Sequence, residues 1–294
     1  MDEPWKHEFV AANGIRFHCV TAGNGPLVLL LHGFPQFWYA WRHQIPALAS
    51  RFKVVAPDLR GYNDTERPPR VADYRTGVLA ADVAGLIKAF GYENAHVVGH
   101  DWGGGVAWTT ALQHENLVSK LAVLNCPHPI LFAKALRSNL RQLGRSWYMF
   151  FFQIPLLPEL VFRLFANRAV ERMFRGMAVR KETFTDEDLR CFREALGKPG
   201  ALTASINYYR ATFRNFAAIR ELERSPKAIS APTLLIWAED DVALGKELTY
   251  GMEPLFAGPF RIHYVPNCSH WVNEEQPELV NRLLLGFLDD RQSI

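Results

Sequence analysis

Ala95-His96-Val97-Val98-Gly99-His100-Asp101-Trp102-Gly103-Gly104 runs from an apolar segment of strand length into a glycine-rich turn, and helical spacing follows as far as Gln113. A strand, a turn and a helix, with glycine two places before and two places after a reactive side chain, make up the nucleophile elbow, G-x-nucleophile-x-G. Such a turn is too tight for side chains at the flanking positions. Its central residue is usually serine; here it is Asp101. An aspartate where a helix begins can also be a plain N-cap, but a cap does not require both glycines. A phosphate-binding loop is excluded, because neither Gly-Lys-Ser nor Gly-Lys-Thr follows.

On either side of this turn, short apolar runs alternate with helical patterns. Leu27–Leu31 is continuously apolar, as in a strand buried on both faces. Helical spacing follows over 38–49, a strand over 53–56 ended by Pro57, and a helix over 76–90 with Leu79, Val83, Leu86, Ile87 and Phe90 on one face. A further strand is expected at 121–124. Before all of these, Asn13-Gly14 between two alternating runs predicts a hairpin. Strands alternating with helices imply a mostly parallel sheet with right-handed crossovers. The alternation stops near Pro127-His128-Pro129, gives way to about a hundred residues of helical composition, and resumes with strands at 233–237 and 261–265 and a helix at Pro277–Leu288. The expected organisation is one α/β domain, residues 1–127 and 231–294, interrupted by a helical cap at 128–230.

The 294 residues suffice for one sizeable core, burying roughly 75% of the unfolded surface without metal or disulfide staples. With 49% hydrophobic and 21% charged residues, the chain is neither disordered nor fibrous. The net charge of +3 gives no reason to expect nucleic acid. That charge is unevenly spread: residues 128–230 carry 18 basic and 9 acidic side chains, net +9, and the remainder carries 15 and 21, net −6. A solvated basic surface is the plain explanation; attraction to anionic substrates or membrane surfaces is the sharper one. Cys19, Cys126, Cys191 and Cys268 fit neither a zinc site nor a secreted disulfide scaffold. Residues 1–6 lack the apolar core of a signal peptide. The most apolar stretch, 147–162, is interrupted by Gln153, Pro155, Pro158 and Glu159 and is too short to span a bilayer. A cytoplasmic protein without stable membrane insertion is therefore expected.

An aspartate at the elbow changes the chemistry. A carboxylate is already ionised, so it can attack an sp³ carbon and form an alkyl ester. A histidine is then needed to activate the water that cleaves the ester, and in folds using this elbow the chain order is nucleophile, acid, histidine. His270 follows the last strand. Glu239, Asp240 and Asp241 all follow the strand before it; Asp241 is taken as the orienting acid, with Asp240 next. The other place for such an acid, after 121–124, holds the uncharged Asn125. His32, His100 and His128 stand beside motifs and are expected to order backbone or pack. His32-Gly33-Phe34-Pro35 follows the first buried strand, where a loop supplies one oxyanion-binding N–H, from Phe34, while Trp102 after the nucleophile supplies the other. A cis bond before Pro35 is plausible in so tight a turn.

The chain resembles the soluble epoxide hydrolase family of the α/β-hydrolase fold. The likeness rests on His32-Gly33-Phe34-Pro35-Gln36, Asp58-Leu59-Arg60-Gly61-Tyr62, the turn around Asp101, Asp241, and Ser269-His270-Trp271, so it covers nearly the whole chain. It implies two cap tyrosines that bind and protonate the epoxide oxygen, for which Tyr148 and Tyr209 match, with Tyr208 fitting less well. A neutral tyrosine can donate its proton at pH 7. The resemblance also implies substrate contacts from Pro35, Phe152 and Trp271, a lipophilic epoxide and water as reactants, no cofactor or metal, and a monomer or homodimer. One departure is Ala238, where the family usually has glycine. Haloalkane dehalogenases share the Asp nucleophile but typically have Asn at the position of Phe34; fluoroacetate dehalogenases have Arg at the position of Trp102; neither has the tyrosine pair. A ligand receptor on the same fold is the non-enzymatic alternative.

Overall fold

The computed structural model describes residues 5–289, with 216–219 described by their backbone alone. Its eight strands are β1 (Lys6–Ala12), β2 (Ile15–Ala22), β3 (Leu27–Leu31), β4 (Lys53–Pro57), β5 (Ala95–His100), β6 (Val118–Leu124), β7 (Thr233–Ala238) and β8 (Phe260–Val265). They form one sheet in the order β1-β2-β4-β3-β5-β6-β7-β8. From β4 to β8 every pairing is parallel; β1 and β2 add an antiparallel edge. The hairpin expected at Asn13-Gly14 is present, with both residues at positive φ.

Parallel strands need crossovers, and these put helices on both faces of the sheet. The alternation within β3 shows the two layers: Leu27, Leu29 and Leu31 belong to one core and Val28 and Leu30 to the other. The first core is closed by α2 (Thr76–Ala89) and α3 (Trp102–Gln113), the second by α1 (Gln44–Ala49) and the terminal helix Pro277–Leu288. The expected helix over 38–49 is instead a short 3₁₀ turn, Trp38–Trp41, followed by α1. Pro46 explains the break, since it has no N–H for the Arg42 carbonyl and its ring clashes there.

Between β6 and β7 the chain forms α4 (Pro129–Ser138), α5 (Leu140–Arg145), α6 (Trp147–Phe151), α7 (Leu157–Leu164), α8 (Ala166–Phe174), α9 (Asp186–Gly197), α10 (Ala201–Phe213) and α11 (Phe216–Arg224), and among the described residues no strand intervenes. The insertion joins both cores, through Phe152 and Tyr208 on one side and Phe174 and Phe192 on the other. The loops after β3, β5, β6, β7 and β8 all leave at the carboxyl ends of parallel strands, where open α/β sheets place their ligand crevice. Close packing of α3 over β3 depends on Gly103, where a Cβ would stand 2.0 Å from the Leu31 carbonyl oxygen. No described helix is long and apolar enough to cross a membrane, and all four cysteines are free thiols.

Candidate active site

Asp101 sits between β5 and α3 with φ 51° and ψ −121°, a conformation that a residue with a side chain adopts only when its surroundings impose it. Its carboxylate makes no capping bond to α3, so a simple N-cap is ruled out. Instead the Phe34 N–H donates to Oδ1 at 2.8 Å. Gly33 permits the approach: a Cβ there would lie 2.6 Å from that same oxygen. His32 shapes the loop. The Leu59 N–H donates to its Nε2 at 2.9 Å, and its Nδ1–H donates to the Gly33 carbonyl at 2.9 Å. Burial holds this imidazole neutral, with a pKa of about 4. The Phe34-Pro35 bond is cis, and Ala238 lies in β7 without a positive φ, so the missing glycine there costs nothing.

His270 faces Asp101 from the loop after β8, with Nε2 3.5 Å from Asp101 Oδ2 and Nδ1 2.6 Å from Asp241 Oδ2. Burial disfavours the charged ring, but the carboxylates of Asp241 and Asp101 outweigh it and lift its pKa to about 10. Burial likewise works against both carboxylates, and the imidazolium more than compensates, holding Asp101 and Asp241 below the usual carboxylate range. Asp241 is fully engaged: Oδ1 accepts from the N–H groups of Ala243 (2.8 Å) and Leu244 (2.9 Å). Asp240 is exposed, and Glu239 pairs with Lys246. His100 stands behind His270 and, since a carbonyl can only accept, donates its Nε2–H to the His270 carbonyl at 2.9 Å.

Two supporting residues escaped sequence reasoning. Asn125, set aside for lacking charge, donates through Nδ2 to Asp241 Oδ2 at 2.8 Å and accepts the Ala238 N–H at 3.0 Å, so its amide aims the acid from the neighbouring strand. The only signal for it was its place at the end of β6. Arg210 is buried. Its guanidinium donates to the carbonyls of Phe152 (3.0 Å) and Ile154 (3.2 Å) and pairs with Glu159 (2.7 Å). It thereby ties the end of α6 to α10, the two segments carrying Tyr148 and Tyr209. Its place directly after Tyr209 was the one signal for it, and nothing in the sequence shows what it ties together.

The tyrosine ring centroids of Tyr148 and Tyr209 are 5.9 Å apart. Tyr209 lies edge-on to Trp102 (4.9 Å) and to Phe34 (5.5 Å), and Phe152 packs on Phe34 and Tyr209. Burial first, and the nearby Asp101 charge second, push both phenols well above the ordinary tyrosine value, so both keep their protons at neutral pH. Tyr208 points elsewhere, donating to the Arg60 carbonyl at 2.8 Å. Trp271 is buried between His270 and Phe174, and its indole N–H donates to the Met173 carbonyl. Among the described residues, His18, Asp58 and Asp64 bring three possible metal-ligating atoms together, but the Asp58 oxygens already accept from His18, Asn63 and the Trp38 N–H.

A parallel sheet with an acidic elbow, a late histidine and a helical insertion defines an α/β hydrolase, and residues 26–277 match that family. Over 284 residues the chain is 37% identical to epoxide hydrolase 4 of Mus musculus, covering 95% of this chain and 77% of that one. The crystal structure of epoxide hydrolase A from Mycobacterium thermoresistibile superposes with a TM-score of 0.84 at 30% identity, covering 97% of this chain and 98% of that one. An epoxide hydrolase from an endophytic Streptomyces superposes with a TM-score of 0.88 at 27% identity, covering 99% and 97%. The chain belongs to the epoxide hydrolase family of the α/β hydrolases.

Proposed function

We infer that this enzyme opens lipophilic epoxides to vicinal diols through a covalent ester on Asp101. The observation that carries the mechanism is a carboxylate, in place of a hydroxyl, at the elbow, with His270 Nε2 3.5 Å from its free oxygen. Asp101 attacks a ring carbon, a C–O bond of the epoxide breaks, and the oxygen takes a proton from Tyr148 or Tyr209. Alkylation removes the Asp101 charge, one of the two reasons for the raised pKa of His270. The imidazole can then release its proton to solvent, from which the tyrosine left as phenolate regains one, and take a proton from the attacking water, while Asp241 holds it in orientation. That water attacks the ester carbonyl carbon. The developing oxyanion meets the N–H of Phe34 and that of Trp102, an unshared donor in the first turn of α3. The diol leaves and the carboxylate is restored. The aromatic lining of Phe34, Phe152 and Trp102 favours apolar substrates, Pro35 and Phe152 contact them, and Trp271 backs His270. In this scheme the 128–230 insertion acts as the cap.

A single turnover in ¹⁸O-water with enzyme in excess tests the ester. Its oxygen is the enzyme's own, so the first diol is expected to be unlabelled and the label to appear in Asp101. Labelled diol in that turnover would falsify the covalent route. Asp241→Asn is expected to lower kcat on an aryl epoxide by about 10⁴-fold, as when a triad carboxylate becomes an amide. Asp240→Asn, at an exposed position, should leave it nearly unchanged. The reverse order would move the acid role to Asp240.

A further inference from the structure

Of the 13 large apolar side chains exposed among the described residues, eight fall within residues 147–165, a stretch of α6, α7 and their connection. Single scattered apolar side chains are ordinary on a soluble surface, whereas a concentration of them in one short segment marks an interaction surface. Trp147 (65% exposed) and Phe150 (47%) project outward from α6 while Met149 is buried. On α7, Leu157, Leu160 and Leu164 recur at the spacing of one helix face, and Pro158 is buried. Leu156, between the helices, is 78% exposed and adopts φ 61°. A left-handed conformation is unfavourable for a leucine, and no described residue covers the side chain in return.

The charge around this patch says what covers it. Residues 134–175 contain eight basic side chains and two acidic ones, and one of the two, Glu159, is taken by Arg210. Arg141, Arg163, Arg168 and Arg172 are exposed and have no ion-pair partner among the described residues. Phe165 leads directly into α8, where Arg168, Arg172, Arg175 and Lys181 line a surface cleft of about 350 Å³ with Glu171 as its one acidic residue. Exposed leucines and aromatics beside arginines are the composition of a helix that lies in the plane of a bilayer, with apolar side chains among the acyl chains and cations at the headgroups. Two copies of so basic a face repel one another, which argues against self-association.

We propose that the α6–α8 face docks peripherally on membranes containing anionic phospholipid, inserting Trp147, Leu156 and Leu160 at the interface while Arg168 and Arg172 engage lipid phosphates. This goes beyond the hydrolytic assignment and does not depend on it.

Sedimentation of the full chain with vesicles tests it. Binding is expected to vesicles of phosphatidylcholine and phosphatidylglycerol in equal parts, at least tenfold stronger than to phosphatidylcholine alone, and to weaken with salt. Leu156→Asp/Leu160→Asp should cut binding at least tenfold, and Arg168→Glu/Arg172→Glu should remove the preference for phosphatidylglycerol. Both double variants should hydrolyse a water-soluble epoxide in lipid-free buffer at the wild-type rate, showing that they fold. Wild-type protein left in the supernatant with mixed vesicles would overturn the proposal, as would equal binding by Leu156→Asp/Leu160→Asp. A lipid-free dimer that Leu156→Asp dissociates would overturn it too, by showing that a second copy covers the face.

Discussion

His270→Gln is expected to convert the enzyme into a stoichiometric trap. The change removes the imidazolium that offsets the burial of Asp101, but the Phe34 N–H still donates to its carboxylate, so alkylation should proceed at a reduced rate. Hydrolysis of the ester needs a base for water, and Gln cannot supply one; loss of a general base costs roughly 10²–10⁴ in rate. After mixing with an epoxide, a mass increase equal to the epoxide should persist on the peptide containing Asp101, with one equivalent consumed and little diol released. A variant that still turns over at the wild-type rate, or that is never alkylated, would remove His270 from the hydrolytic step. The variant should also be less stable. His270 is raised from 6.5 to about 10 in the folded protein, so its stabilising contribution is fully present below pH 6.5 and is lost as pH rises through 10. The difference in thermal midpoint between wild type and variant should therefore shrink across that window.

The second large effect belongs to the tyrosines. Ring opening creates an alkoxide, whose protonation must come from a group that still holds its proton at neutral pH. Tyr148 and Tyr209 both do, because burial and the adjacent Asp101 charge disfavour phenolate. Each single Tyr→Phe change should slow alkylation in a single turnover, and the double change should slow it by roughly 10²–10⁴. Hydrolysis of an ester already formed should be far less affected, a split that general damage to the fold would not produce. Tyr208→Phe is the control. Its hydroxyl is spent on the Arg60 carbonyl, so the change should cost about 1 kcal/mol of stability and leave the alkylation rate alone. A double variant retaining most of the alkylation rate would exclude the tyrosines as donors.

Arg210 and Asn125 show where linear reasoning stops. Tyr148 and Tyr209 were legible as candidates because each sits in a recognisable local context, whereas the arginine that ties their two segments together is one of 18 basic residues in the insertion, and its partners are invisible in the sequence. Its contacts to Phe152 and Glu159 reach more than fifty positions along the chain. Asn125 was legible as a place and not as a role. Its partner Asp241 is 116 residues away, and only the pairing of β6 with β7 makes them neighbours.

Local patterning alone determined the parallel sheet, the interruption between β6 and β7, the elbow at Asp101 and the late histidine. Apolar runs, glycines and chain order are properties of consecutive residues, and short-range sterics act on them directly. Tertiary structure decided the rest. It buried Asp241 against His270 and left Asp240 exposed, and it gave two buried tyrosines different partners, Tyr208 the Arg60 carbonyl and Tyr209 the rings of Trp102 and Phe34, because the neighbours of consecutive side chains depend on how their strand-end loop or helix docks. It set the charge on His270, because a pKa is the balance of burial against two carboxylates drawn from different loops. It also exposed eight large apolar side chains of residues 147–165, since the same composition would suit a buried helix equally well, and only the packing of the insertion on the sheet leaves them uncovered by any described residue.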